Sequence, residues 1–153
     1  MDAFDRKILA ILQRDSSLSV AELAEQVGLS TTPCWRRIRN LQNDGVIERE
    51  VAILNPDKLN VGVTVFVNIR TTQHNIEWFE NFAAAVAKID EVVEFYRMSG
   101  DVDYLLRIVV PDIAAYDEVY KRLIAEIELS DVTSSFAMER IKHTTALPLT
   151  YVG

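Results

Sequence analysis

Residues 19–45, SVAELAEQVGLSTTPCWRRIRNLQNDG, decide how the N-terminal part of the chain folds. Ser19 is followed three residues later by Glu22, so each side chain can take a free backbone N–H of the other and open a helix. Val20, Leu23, Ala24 and Val27 then line one face, and Gly28 ends the helix because glycine reaches positive φ at little cost. Only Leu29 separates that stop from Ser30, an N-cap candidate, and Pro33 falls in the first turn of the next helix, where a missing N–H costs little. This helix is expected to run to about Asp44, with Gly45 as its end signal. Upstream, Phe4, Ile8, Ile11 and Leu12 recur at helical spacing until Asp15-Ser16-Ser17 breaks the pattern. Helix, short glycine turn, helix is the helix-turn-helix spacing, which other helical hairpins share.

The two faces of the Ser30–Asn43 helix sharpen that reading. At about 100° per residue, Cys34, Ile38 and Leu41 form one stripe. Thr32, Arg36 and Arg39 form the opposite stripe, flanked by Trp35 and Asn40, with Arg37 nearer the edge of the apolar side. A polar face of this kind suits phosphates and purine edges; the plainer alternative is a solvated surface that carries arginines. The candidate DNA contacts are Ser30, Thr31, Thr32, Trp35, Arg36, Arg37, Arg39 and Asn40. Thr32, Arg39 and Arg36 suit base edges, and Arg36 and Arg37 suit phosphates. For Trp35, packing on the helix flank is the favoured reading over base contact.

Composition bounds the rest. The 153 residues are 49% hydrophobic and 25% charged, an ordinary globular balance. The formal net charge is −7, which a nucleic-acid binder would not be expected to show. It is unevenly divided: residues 1–50 hold seven Lys/Arg against eight Asp/Glu, and residues 51–153 hold nine against fifteen. A local positive face is therefore compatible with an acidic chain. The single cysteine, Cys34, excludes an internal disulfide and a multi-cysteine metal site, and it reads as a small core residue. Apolar runs such as Val61–Val67 stop well short of the ~18 residues a membrane helix needs. The acidic start Met1-Asp2-Ala3-Phe4-Asp5 is unlike a secretory signal. A cytoplasmic protein without membrane contact is expected. His74 and His143 form no metal or triad arrangement, and no phosphate-cradling glycine motif is present, so neither catalysis nor a metal nor a bound cofactor is expected.

Beyond residue 46 the rhythm changes. Val46–Leu54 reads as extended chain, and Asn55-Pro56-Asp57 is a turn. Gly62–Thr71 alternates Val63, Val65, Val67 and Ile69 against Thr64, Phe66, Asn68 and Arg70, a strand with one apolar face. A helix follows over 76–89, then strands over Val92–Met98 and Tyr104–Val110, joined by Ser99-Gly100-Asp101-Val102-Asp103. A second helix, built on Ile113, Tyr116, Tyr120, Leu123 and Ile127, is expected through about Glu128, and a last strand over Val132–Lys142. The order is βαββαβ, the split arrangement of a ferredoxin-like sandwich. Two helices cover one sheet face. Phe66, Tyr96, Ile108 and Phe136 are available to the other, which a second copy of the chain would cover.

With these passages in order, the sequence resembles the Lrp/AsnC, or feast/famine, family over nearly its whole length. The resemblance is carried by Asp5-Arg6-Lys7-Ile8-Leu9, Leu23–Ser30, Thr32–Ile38, Asp44–Ile47 and Leu54-Asn55-Pro56. In the second unit it is carried by Ser99–Leu106, Val110-Pro111-Asp112 and Met138–Lys142. It implies an α+β protein: an N-terminal winged helix-turn-helix over 1–50, a linker or hinge strand over 51–61, and a ferredoxin-like RAM domain over 62–153. It implies a transcriptional regulator of amino acid metabolism that reads palindromic promoter sites in double-stranded DNA. Family members pair as dimers through the RAM sheets and usually gather into octamers. They bind a small amino acid where dimers meet, near the Gly-Asp-x-Asp turn.

Carried over by position, the effector residues are Ser99, Gly100, Asp101, Asp103 and Tyr104, with Thr133, Ser134 and Ser135 on the final strand. The chemistry fits: an amino acid offers an ammonium to a carboxylate and a carboxylate to the N–H groups of a glycine turn. The plainer reading is a hairpin whose aspartates cap their own backbone. Which amino acid binds does not follow from the resemblance; leucine or a sulfur-containing residue are both allowed. The competing function is an amino-acid sensor or enzyme accessory subunit whose N-terminal helices dock protein rather than DNA.

Overall fold

A computed structural model describes residues 1–126 and 128–152. The elements follow the order α1 (Ala3–Leu12), α2 (Val20–Val27), α3 (Thr31–Asn43), β1 (Val63–Arg70), α4 (Ile76–Ala87), β2 (Val92–Arg97), β3 (Tyr104–Val110), α5 (Ile113–Glu126) and β4 (Asp131–Phe136). A single 3₁₀ turn, Leu149–Tyr151, lies near the end of the chain. Contacts divide the chain into a helical unit, Met1–Ile53 with the tail from Ile141, and a sheet unit, Leu54–Arg140.

In the helical unit, two reciprocal caps set the helix starts. Asp2 and Asp5 cap α1, and Ser19 and Glu22 cap α2. Each pair satisfies N–H groups that have no acceptor inside the helix. Gly28, at φ 79°, ends α2 in the left-handed conformation that a side chain would strain. Ser30 has the extended backbone of an N-cap but makes no side-chain cap bond. The third helical residue is Pro33, so the N–H that a cap serine commonly bonds is missing. Ile8, Leu9, Leu23, Ala24, Val27, Cys34, Ile38 and Leu41 form one core from the three helices, each full burial of a large aliphatic side chain being worth about 1.5–3 kcal/mol.

The tail closes onto this core. The Gln13 side-chain amide donates to the Leu147 carbonyl at 3.1 Å and accepts the Leu147 N–H at 2.9 Å, while Leu149 packs against the helices. The expected C-terminal unit of 62–153 therefore differs from the contact division in its last residues. The hinge strand expected within 51–61 is also absent: residues 51–55 carry no regular structure and Pro56–Asn60 is a turn. A strand is held by a hydrogen-bonded neighbour, and among the described residues no strand pairs with this stretch. Val51, Ile53 and Leu54 remain largely exposed.

The sheet unit has strand order β2-β3-β1-β4, all neighbours antiparallel. Val65, Val67 and Ile69 of β1 are fully buried, and β3 alternates so that Tyr104, Leu106, Ile108 and Val110 point the same way. They pack with Phe82, Ala85 and Val86 of α4 and with Tyr116, Val119 and Leu123 of α5.

Register corrects two side chains expected on the uncovered face. Ile108 lies opposite Val65, and directly paired residues share a face, so it belongs to the core. Phe136 also pairs with Val65, and its ring sits edge-on to Tyr116 of α5 at 5.4 Å. The uncovered face instead carries the row Glu94, Arg107, Phe66, Ser135 and, beside it, Tyr96, Leu105, Asn68, Thr133. It is mixed rather than wholly apolar. β4 ends at Phe136 rather than Lys142; one further backbone bond, from the Ala137 N–H to the Thr64 carbonyl at 2.9 Å, follows it, and in this register β1, which begins at Val63, has no residue to pair beyond Met138. The expected helical position Ile127 lies outside the described residues.

Candidate nucleic-acid interface and ligand turn

Helix α3 presents the two faces its spacing predicts. Cys34, Ile38 and Leu41 are buried. Ser30, Thr31, Thr32, Trp35, Arg36, Arg39 and Asn40 are all exposed. Ser30 spends its side chain on no cap, so the N–H groups opening α3 have neither an intrahelical acceptor nor a serine oxygen. That end of the helix favours an anion, because aligned peptide dipoles and free N–H groups point the same way. Cys34 is chemically quiet: burial pushes its thiol pKa up, outweighing the attraction of Arg37, which keeps it protonated at neutral pH.

The three arginines have different fates. Arg36 forms no ion pair among the described residues. Arg39 donates to the neutral Gln42 Oε1 at 3.2 Å and lies over the Trp35 ring at 5.9 Å. Trp35, 53% exposed, is therefore a shelf for Arg39 rather than a core residue.

Arg37, expected to meet phosphate, is held by two carboxylates. Its Nη1 sits 2.7 Å from Asp2 Oδ2 and 2.8 Å from Asp5 Oδ1. Asp2 is held below the ordinary carboxylate range, first by the Asp5 backbone N–H and then by Arg37. Asp5 and then Asp2 in turn raise the Arg37 guanidinium. Neither partner of Arg37 was singled out by the stripe on α3; the signal available was the Asp2-x-x-Asp5 cap itself.

In the sheet unit, Met98 N–H donates to the Asp103 carbonyl at 2.8 Å and closes the β2–β3 hairpin. Gly100, at φ 118°, makes its bend. The candidate residues are not equivalent. Ser99, Gly100 and Asp101 are exposed. Asp103 is half-buried, and its Oδ2 accepts the Thr71 N–H at 2.8 Å while its own N–H donates to the Ile69 carbonyl at 2.9 Å. It fastens the hairpin to the end of β1. Tyr104, expected beside the ligand, has its ring in the core, 5.2 Å from Phe82 and 5.6 Å from Phe95.

The β4 residues also divide. The Ser134 hydroxyl bonds Tyr116 on the helix side, whereas Thr133 and Ser135 lie on the uncovered face. Asn68 of β1 stands between Leu105 and Thr133, so β3 and β4 are about 10 Å apart at two strand spacings. Thr133 and Ser135 therefore lie two strands away from β3, which carries the turn. Among the described residues no group of three or more His, Cys, Asp or Glu is placed to hold a metal, and no helix is long and apolar enough to cross a membrane.

Comparison with known proteins agrees with both units. A family model described as winged helix-turn-helix DNA-binding matches residues 1–48, and one described as Lrp/AsnC ligand binding domain matches residues 64–147. The chain is 51% identical over 150 residues to the DNA-binding transcriptional activator DecR of Escherichia coli K12, covering 97% of this chain and 99% of that one. The crystal structure of an AsnC family transcriptional regulator from Agrobacterium tumefaciens superposes with a TM-score of 0.97 at 67% identity, covering 99% of each chain. A transcriptional regulator from Neisseria meningitidis, crystallised as an L-Met complex, superposes with a TM-score of 0.93 at 36% identity, covering 98% of this chain and 97% of that one. With a winged helix-turn-helix ahead of a four-stranded α+β ligand-binding domain, the chain belongs to the Lrp/AsnC family of transcriptional regulators.

Proposed function

We propose that this regulator binds double-stranded DNA sequence-specifically through α3 and is modulated by a free amino acid bound between its sheet units. The observation that carries the DNA reading is the exposed stripe Thr32, Arg36, Arg39, opposite buried Cys34, Ile38 and Leu41. No carboxylate among the described residues takes up Arg36 or Arg39. Arg36 and the N–H groups at the start of α3 meet phosphates, and Thr32 and Arg39 meet base edges. The protein acts as a dimer, gathered into octamers. Two twofold-related copies of α3 enter major grooves about 34 Å apart, which calls for a palindromic site.

For the effector, support comes from the exposed turn and from the L-Met complex of the Neisseria meningitidis relative. Asp101 accepts the ammonium of the amino acid, and N–H groups at Gly100 receive its carboxylate. Asp103 contributes at most the oxygen that Thr71 leaves unused. Thr133 and Ser135, on the uncovered face of β4, add hydroxyls to the site where copies meet. Amino acid binding between dimers favours one assembly and so changes which DNA sites are spanned together, a linkage between two sites.

Gel shifts on DNA upstream of the chain's own gene test the first part. Wild type shifts that DNA selectively, and Arg36→Ala/Arg39→Ala loses the shift. A sensor or accessory subunit that docks protein would show neither effect. Calorimetry across the twenty amino acids tests the second part; if no amino acid binds or alters oligomer size and DNA affinity, effector control is rejected.

A further inference from the structure

We infer that Arg37 is a positioning residue, one that sets the pose of the reading helix from inside the protein and leaves phosphate contact to its neighbours. The inference rests on the DNA reading proposed for α3. One nitrogen, Nη1, bridges both carboxylates at 2.7 and 2.8 Å, and the guanidinium carbon lies 5.4 Å from the centre of the Phe4 ring. The remaining oxygens are already spent. Asp2 Oδ1 accepts the Phe4 and Asp5 N–H groups at 2.9 and 3.0 Å, and Asp5 Oδ2 accepts the Asp2 N–H at 2.9 Å. The cap of α1 thus orients both acids before the arginine arrives, making a preorganised seat.

This seat is unlike a loose surface pair. The Asp5 side chain is 17% exposed and that of Arg37 30%, while Asp2, 51% exposed, closes the seat on its solvent side. Two carboxylates hold Nη1 through charge-assisted bonds, and their two negative charges outweigh the single positive charge of the guanidinium, so the cluster as a whole offers a phosphodiester no net attraction. The bond also ties the first turn of α1 to the middle of α3, at the margin of its apolar stripe. Each residue of a helix turns about 100°, so a small rotation of α3 about its axis swings Thr32, Arg36 and Arg39 off their targets. A tether at the stripe's margin opposes that rotation.

The test uses the full chain with two duplexes, its own upstream DNA and a random sequence, over a range of salt. Arg37→Gln is expected to lower the ratio of specific to random affinity roughly tenfold, the scale of one mismatched base pair, with no change in the salt slope. Arg36→Gln, a phosphate contact, flattens that slope by about 0.9. Asp2→Asn/Asp5→Asn removes both charges while the amides still cap α1. It loses selectivity as Arg37→Gln does, and adding Arg37→Gln to it brings no further loss, as expected for one shared interaction. This pair also keeps the test decisive should Arg37→Gln alone fail to fold.

A salt slope flattened by about 0.9 in Arg37→Gln with selectivity intact would make Arg37 a phosphate contact and overturn the inference, as would strictly additive losses. A wild type without preference for its own upstream DNA overturns the DNA reading itself, a separate result visible before any variant is made.

Discussion

Two aspartate pairs, one in each unit, look alike in sequence and do different work. Asp2-x-x-Asp5 opens α1, and all four carboxylate oxygens are taken, by three backbone N–H groups and by Arg37. Asp101-x-Asp103 closes the β2–β3 hairpin, and the two acids part company: Asp103 holds the Thr71 N–H, while Asp101 is exposed. An acid's availability to a ligand depends on how many N–H groups the fold aims at it. Composition alone would rank all four equally.

The contrast can be broken by substitution. Asp103→Ala should cost about 1–3 kcal/mol in denaturant unfolding, since it strips the partner from the N–H of Thr71, a residue only 6% exposed. Gly28→Ala is expected to cost about 1–2 kcal/mol in the helical unit, because φ 79° strains any side chain. Asp101→Ala should leave stability within about 0.5 kcal/mol and abolish amino acid binding in calorimetry. If Asp101→Ala instead unfolds the sheet unit as Asp103→Ala does, the division between the two acids is wrong.

The smallest effect is a pH dependence. The folded pKa of Asp2 lies below its ordinary 3.8, so its contribution is complete above the unfolded value and is lost as pH falls through the lowered folded one. Thermal melts of wild type and Asp2→Asn should therefore keep a constant difference from pH 5 to 7 and converge as pH falls below 3.8. Convergence beginning near neutral pH would contradict that assignment.

Much of this was legible before any coordinates. The Ser19–Glu22 cap, the glycine stop and the alternation of β1 depend on residues within a few positions of one another, and such patterns read directly. Arg37 was legible only as a residue near the edge of a stripe; its partners are 35 and 32 positions away. Ile108 alternates correctly along β3, but which face that alternation meets is set by pairing with Val65.

Local chemistry in the sequence therefore determined the helices, the strand order along the chain, the guanidinium-bearing face of α3 and the bend at Gly100. Only tertiary structure decided which arginine is spent inside the protein, which aspartate is left over, that the tail near Leu147 returns to Gln13, and that 51–61 makes no strand alone. The reason is one of range. Caps and periodicity act within a turn or a pleat, whereas ion pairs, register and strand formation need a partner whose position the folded chain supplies.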